Sequence, residues 1–243
     1  LRQEGCLHAC FPRTDDDALH AVLLNSSGGM ADGDMLRTTL VAEAGASLVV
    51  ATQAAERVYR ARAGAAPARV DVAVRVAAGA RVDYLPQETI LFDACALERR
   101  LRVDVAPGGR YVGVETLIFG RAAAGEVVAS LRLRDRIDLY CDGTHVLHDA
   151  VLLQGDVAAL LQRRAIAAGA RAVASVFYVA ADAGARVDQV RAALGGVAGG
   201  ASSRDGTLLA RIVAADGAQA RRAVVACLAA VRDDRALPRV WTC

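Results

Sequence analysis

Cys6, His8 and Cys10 alternate along the chain, so on a β-strand all three side chains project from one face. Two thiolates and an imidazole are a donor set for Zn²⁺ or Ni²⁺, although no fourth ligand is visible beside them. A second group, Cys141, His145, His148 and Asp149, has the ligand types of a metal-dependent hydrolase. The first three have helical spacing, yet they flank Asp142-Gly143, which reads as a turn between strands, where that spacing does not align side chains. Three carboxylates stand apart. Asp34 closes a glycine-rich loop, Glu115 interrupts an apolar strand, and Asp149 follows Val146–His148 in another. Each also has an ordinary structural role. Asp34 suits a turn whose carboxylate bonds backbone amides, while Glu115 and Asp149 suit a solvated strand face or an ion pair with one of the many arginines.

Composition removes several chemistries. All 29 basic residues are arginine, so the chain has no Walker A phosphate loop, no Schiff-base lysine and no Ser–Lys dyad. Gly-x-Ser-x-Gly, His-Glu-x-x-His, Cys-x-x-Cys and Gly-x-Gly-x-x-Gly are all missing. A net charge of +2 offers little to nucleic acid, and no basic stripe is interleaved with aromatics. No uncharged run approaches the ~20 apolar residues of a membrane span. Six scattered cysteines in a chain of 243 residues are expected to be reduced thiols of a soluble cytoplasmic protein. The chain opens at Leu1, so residues are expected to precede it.

The elements that must position these groups are mostly strands. Val70, Val72, Val74 and Val76 alternate with Asp71, Ala73 and Arg75; Leu101, Val103 and Val105 alternate with Arg102 and Asp104. Small-residue turns at Ala44-Gly45-Ala46, Ala78-Gly79-Ala80 and Pro107-Gly108-Gly109 each precede an apolar strand: Leu48–Val50, Val82–Leu85 and Tyr111–Val114. This unit returns about every 30 residues without intervening helices, which predicts a mainly β, layered or helical architecture of stacked strand–turn–strand units. Residues 1–160 form that scaffold. Residues 161–243 read as strand, helix, strand, helix: Val173–Val179, then Val187, Val190 and Leu194 on one helical face, Thr207–Ala214, and Gln219–Arg232. The two portions are expected to form one compact unit.

Four segments, in order and spacing, resemble the urease accessory family UreD (UreH in some organisms). They are Asn25-Ser26-Ser27-Gly28-Gly29 through Gly33-Asp34, Thr52 through Arg60, Leu85-Pro86-Gln87-Glu88-Thr89-Ile90-Leu91-Phe92, and Glu115 through Arg121. The ending Leu237-Pro238-Arg239-Val240-Trp241 is similar too. The resemblance implies a non-enzymatic β-rich scaffold with two helices. Its partners would be apo-urease, a second accessory protein of UreF type and, through that protein, a nickel-carrying GTPase of UreG type. Nickel would be held only transiently, with Asp34, Glu115 and Asp149 as candidates along its route. Arg121 and Tyr59 would be partner contacts, and Gln53, Gln87 and Glu88 polar groups satisfying the backbone at coil turns. Asp32 stands where the family has glycine, so a positive φ there would need aspartate to tolerate it. The Cys6–Cys10 segment is foreign to the family pattern. Without the resemblance, the alternatives are a purely structural β-repeat protein or the hydrolase built on Cys141, His145, His148 and Asp149.

Overall fold

The structure is a computed structural model that describes residues 1–242. Its strands run β1 (Leu7–Cys10), β2 (Leu19–Asn25), β3 (Met35–Ala42), β4 (Ser47–Thr52), β5 (Glu56–Val58), β6 (Ala68–Val76), β7 (Arg81–Leu85) and β8 (Thr89–Leu91). They continue with β9 (Ala96–Val105), β10 (Arg110–Phe119), β11 (Ser130–Cys141), β12 (Thr144–Asp156), β13 (Ala172–Val179), β14 (Ala198–Arg204) and β15 (Thr207–Ala214). Three helices, α1 (Val157–Gln162), α2 (Val187–Ala193) and α3 (Gly217–Val231), fall late in the chain.

The first half winds as a coil. Ser47 pairs in parallel with Arg81, and Arg81 with Arg110, so one turn of the coil takes about 30 residues. In one sheet β2, β4, β7 and β10 stack in parallel; in the other β3, β6, β9 and β11 do the same. Glycine makes the repeated turn possible. Gly45, Gly79 and Gly108 have φ of 73°, 66° and 75°, and a Cβ on Gly79 or Gly108 would lie against the backbone nitrogen of the glycine one coil earlier.

Antiparallel strands finish the sheets. β1 closes one end of the first sheet on β2, and β13, β15 and β14 extend the other end from β10. β12 closes the second sheet on β11. The final third therefore continues the larger sheet, and it contains a strand, β14, that the expected strand–helix–strand–helix order lacked. α1 was also unexpected; Asp156 caps it by accepting from Ala159 N at 2.9 Å. α3 begins with reciprocal capping, in which Asp216 accepts from Gln219 N and Gln219 accepts from Ala215 N, each at 2.8 Å.

Three layers result. Alternate residues of β10, β13 and β15 (Val112, Val114, Ala174, Val176, Leu208 and Ala210 among them) pack against Val190, Val224 and Leu228 of the helices. The other face of the same strands meets the second sheet through two separate apolar clusters, one around Val74, Val103, Tyr111 and Phe177, the other around Leu97, Leu117, Phe119 and Leu133.

Candidate functional site

Between those two apolar clusters lies a belt of charge. On β9 the inward positions read Leu97, Arg99, Leu101; on β11 Leu133, Asp135, Ile137; on β10 Gly113, Glu115, Leu117. A charged residue thus occupies an apolar phase on three strands. Arg99 donates Nε to Asp135 Oδ1 at 2.9 Å and Nη2 to Asp135 Oδ2 at 2.6 Å, a bidentate pair, and Nη1 to Thr89 Oγ1 at 3.3 Å. Its Nη2 also lies 2.7 Å from Glu115 Oε2. That oxygen is buried yet accepts no aligned hydrogen bond, so the contact is a charge contact and leaves the oxygen unsatisfied.

The belt continues along the register. Glu115 stands beside Ser175 on β13, and Ser175 beside Arg211 on β15. Arg211 Nη2 reaches across to both carboxylate oxygens of Asp149, at 2.6 and 2.5 Å. Burial pushes the Glu115 carboxyl up to about 8; Arg99 and Arg211 pull it down, but Asp135 and Asp149 push with burial. Burial thus biases the glutamate toward its protonated form, and Asp135 and Asp149 are the carboxylates hydrogen-bonded to the belt's two arginines. Arg99 stays charged: burial opposes its positive charge, and Asp135 and Glu115 more than restore it.

A cavity of about 80 Å³ opens on this belt. Its polar lining is Thr38, Thr52, Glu56, Tyr84, Gln87, Thr89, Arg99, Glu115 and Thr116, with apolar walls from residues that include Met30, Val72 and Leu97. Glu56 is held by Asn25 Nδ2 at 3.2 Å to each oxygen, and burial raises its carboxyl against that bond. Hydroxyls and carboxylates with no thiolate or imidazole form a weak, hard donor set.

The three sequence-chosen carboxylates are thus separated. Glu115 and Asp149 join the belt, Glu115 facing Arg99 in the buried interior and Asp149 pairing with Arg211 half-buried at its margin. Asp34 stays outside, where its Oδ2 accepts from Ala31 N at 2.8 Å and closes the loop. Asp32 has no positive φ; Gly33 takes that conformation at 83°, and Asp32 instead forks Arg62 at 2.8 and 3.0 Å.

Tyr59 and Arg121 are brought together by Phe92. Tyr59 meets the Phe92 ring edge to face at 5.3 Å, and the Arg121 guanidinium lies 4.3 Å over the same ring. Tyr59 Oη donates to Gly28 O at 2.6 Å, and its ring lies where a Cβ on Gly29 would be. Arg121 Nε donates to Glu126 at 3.0 Å; that bond, with burial opposing, draws Glu126 down to about 2. Gln53 is exposed and bonds Leu23 O through its backbone. Gln87 donates Nε2 to Val240 O at 2.8 Å, and Arg221 bridges Gln87 Oε1, Glu88 Oε1 and Trp241 O within 2.9 Å. These groups fasten the ending Leu237–Trp241 onto the coil.

Cys6 lies in a turn ahead of β1, half-buried, while His8 and Cys10 on β1 are exposed. Among the described residues only one group brings three potential metal ligands together, and it is Asp138, His145 and His148. The hydrolase set does not assemble, because Asp149 faces the interior and Arg211 while its neighbour His148 bonds Asp138 on the outer face. Arg99, Asp135, Arg211 and Asp138 were not singled out from sequence. Arg99 and Asp135 carried a usable signal, a charge in the apolar phase of a strand.

The family model described as UreD urease accessory protein matches residues 1–242. The urease accessory protein UreD of Roseobacter denitrificans is 43% identical over 241 residues, covering 99% of this chain and 87% of the relative. That of Azorhizobium caulinodans is 45% identical over 243 residues (99% and 89%), and that of Sinorhizobium medicae 42% over 247 residues (100% and 88%).

Proposed function

The chain belongs to the UreD family of urease accessory proteins, and on that premise we propose that it is a non-catalytic scaffold which hands nickel to apo-urease through the carboxylate-lined interior between its sheets. The observation that carries this reading is Glu115, a buried carboxyl with one unsatisfied oxygen, set on a cavity whose other polar groups are side-chain oxygens, the Gln87 amide and Arg99. Ni²⁺ accepts carboxylate and hydroxyl ligands, and such donors hold it loosely enough to let it go on. Arriving charge displaces the Glu115 proton, so the carboxylate is exposed to the ion only when an ion is present. Asp149 acts on the same centre through its field, and Asp34 stands at the surface as the third candidate of the route.

A scaffold role is supported by the half-buried Tyr59 and Phe92 with the exposed Arg121 over them, where arginine and aromatics form the kind of surface that anchors a partner. The partners we assign are apo-urease, a UreF-type accessory protein and, through it, a nickel-carrying UreG-type GTPase. The absence of catalysis is supported by the buried thiols. Burial pushes Cys95 up to about 12 and Cys227 up to about 11, so neither is a thiolate nucleophile near neutral pH. Cys6, Cys10, Cys95, Cys141 and Cys227 are all free, which favours a reducing, cytoplasmic setting; Cys243 lies outside the described residues. No helix among the described residues is long and apolar enough to cross a membrane.

The test is nickel per urease active site in cells carrying Glu115→Gln, alone and combined with Asp34→Asn and Asp149→Asn, with co-purification of the accessory complex followed in parallel. Reduced loading with an intact complex, eased by extra nickel in the medium, is the expected result. Normal loading in the triple variant would exclude the route. Loss of the complex with a normal melting temperature would make these residues interface contacts instead.

A further inference from the structure

We propose that the outer face of the β11–β12 hairpin is a binding site for a first-row divalent transition-metal ion, with Asp138, His145 and His148 as its protein ligands. The site is made by a β-bulge. Asp138 pairs with His148 and Leu139 with Leu147, but Tyr140 pairs with His145, so Val146 is an extra residue without a partner. On a regular strand, residues three apart point to opposite faces. The extra residue turns the phase, and His145 and His148 emerge on the same face as Asp138.

Their donor atoms converge. His148 Nδ1 is 2.7 Å and His145 Nε2 3.2 Å from Asp138 Oδ1, and all three ligand atoms lie within 4.8 Å of one another. Two ligands bound to one ion at ~2.1 Å, at tetrahedral or octahedral angles, stand about 3.0–3.4 Å apart. The three groups are therefore within a side-chain adjustment of coordinating distance. Two imidazoles with one carboxylate select zinc, cobalt, nickel or copper over magnesium and calcium. The Asp138 carboxyl is buried, whereas the imidazoles are 42% and 45% exposed, which leaves an open side for solvent ligands.

Neighbouring groups hold the ligands in place. The His145 ring stacks on Tyr140 at 4.7 Å between centroids, and Arg102 covers the Tyr140 ring at 4.1 Å. Asp104 pairs Arg102 at 2.8 and 2.9 Å, so its charge does not stand unopposed beside a metal. Support of this kind fixes ring orientation in known metal sites. The site is separate from the nickel route: Asp138 faces away from the interior that Asp135 faces, and it asks nothing of urease.

The experiment uses the full chain carrying Cys6→Ser and Cys10→Ser, which removes the thiol donors near the N-terminus. Metal-stripped protein is titrated calorimetrically with zinc chloride alone and, in parallel, with magnesium chloride. One equivalent of zinc is expected to bind, magnesium is not, and zinc should raise the melting temperature by tying β12 to β11. His145→Asn combined with His148→Asn should lose that equivalent or weaken it by roughly tenfold or more, and lose the zinc-dependent shift. Because a double change on an edge strand can perturb folding, Asp138→Asn is measured alongside; it keeps the side chain's shape and should weaken zinc binding too. Cobalt(II) should give the visible absorption of a nitrogen–oxygen site with the parent and not with the double variant. Zinc binding to the parent no tighter than magnesium, or unchanged zinc binding in a folded double variant, would overturn the site.

Discussion

Replacing Glu115 with glutamine should change how stability depends on pH more than stability itself. The carboxyl is pushed to about 8 in the folded chain against an ordinary value of 4.5. An acid raised in this way binds its proton in the folded state after the unfolded chain has released it. Stability is therefore lost as pH rises from about 4.5, and the loss is complete above about 8. Over that window the slope approaches 1.4 kcal/mol per pH unit, and the whole interval amounts to about 4–5 kcal/mol as a ceiling. Glutamine keeps the shape of the protonated acid and has nothing to release. At pH 5 the two proteins should agree within about 1 kcal/mol, and by pH 8 the variant should be the more stable by several kcal/mol. Titrations elsewhere in the chain are common to both and drop out of the difference. Urea denaturation followed by Trp241 fluorescence suits the measurement, since this is the only tryptophan and it is buried. Parallel pH profiles would refute the reasoning. A wild type that outlasts the variant at pH 8.5 would show instead that Glu115 is ionised and held by Arg99.

Arg232 is buried and donates Nε to the fully buried Asp83 at 2.8 Å. Arg232→Leu, which leaves Arg235 at 3.3 Å as the remaining charge partner, should cost about 3–5 kcal/mol in denaturant titrations. A Cβ on Gly113 would stand 2.3 Å from Tyr111 Oη, so Gly113→Ala should cost about 1–3 kcal/mol, with Tyr111→Leu in the same chain recovering part of it. Arg221→Ala removes the bridge from Gln87 and Glu88 to Trp241 O, and should make the chain near Leu237 the first site cut in limited proteolysis, without a change in the remaining fragment's fold.

Much of the coil was legible because its signals are local. The valines at 70, 72, 74 and 76 state a strand and its buried face together, and the glycine turns state where each coil ends. Thr207–Ala214 coincides with β15 for the same reason. The sequence Ala198-Gly-Gly-Ala-Ser-Ser-Arg204 has no apolar alternation, because β14 is an edge strand held by backbone bonds to β15 and buries little. Glu115 and Asp149 were recognisable as unusual, but their partners Arg99 and Arg211 come from other strands, and nothing in a local window connects them. His145 and His148 were set aside because three-residue spacing on a strand separates side chains. One unpaired residue, Val146, reverses that conclusion, and bulges leave no signature in polarity.

The way the larger sheet is finished has a consequence for the chain during synthesis. Successive coils can be added as they leave the ribosome, since β4, β7 and β10 of the larger sheet each pair with a strand already made. β10 is different. It is buried on both faces along most of its length, and its free edge is covered only when Ala172–Val179 arrives, more than a whole coil later. During that interval the larger sheet ends in a long apolar strand with unpaired amides and carbonyls, the arrangement most prone to capture another strand. Chains terminated between Phe119 and Ala172 should therefore accumulate as aggregates, whereas chains terminated after β15, which covers the far edge of β13, should not. Translational slowing over Arg121–Arg171 would lengthen the exposed period, and codon choice in that stretch is where the yield of soluble protein should be most sensitive.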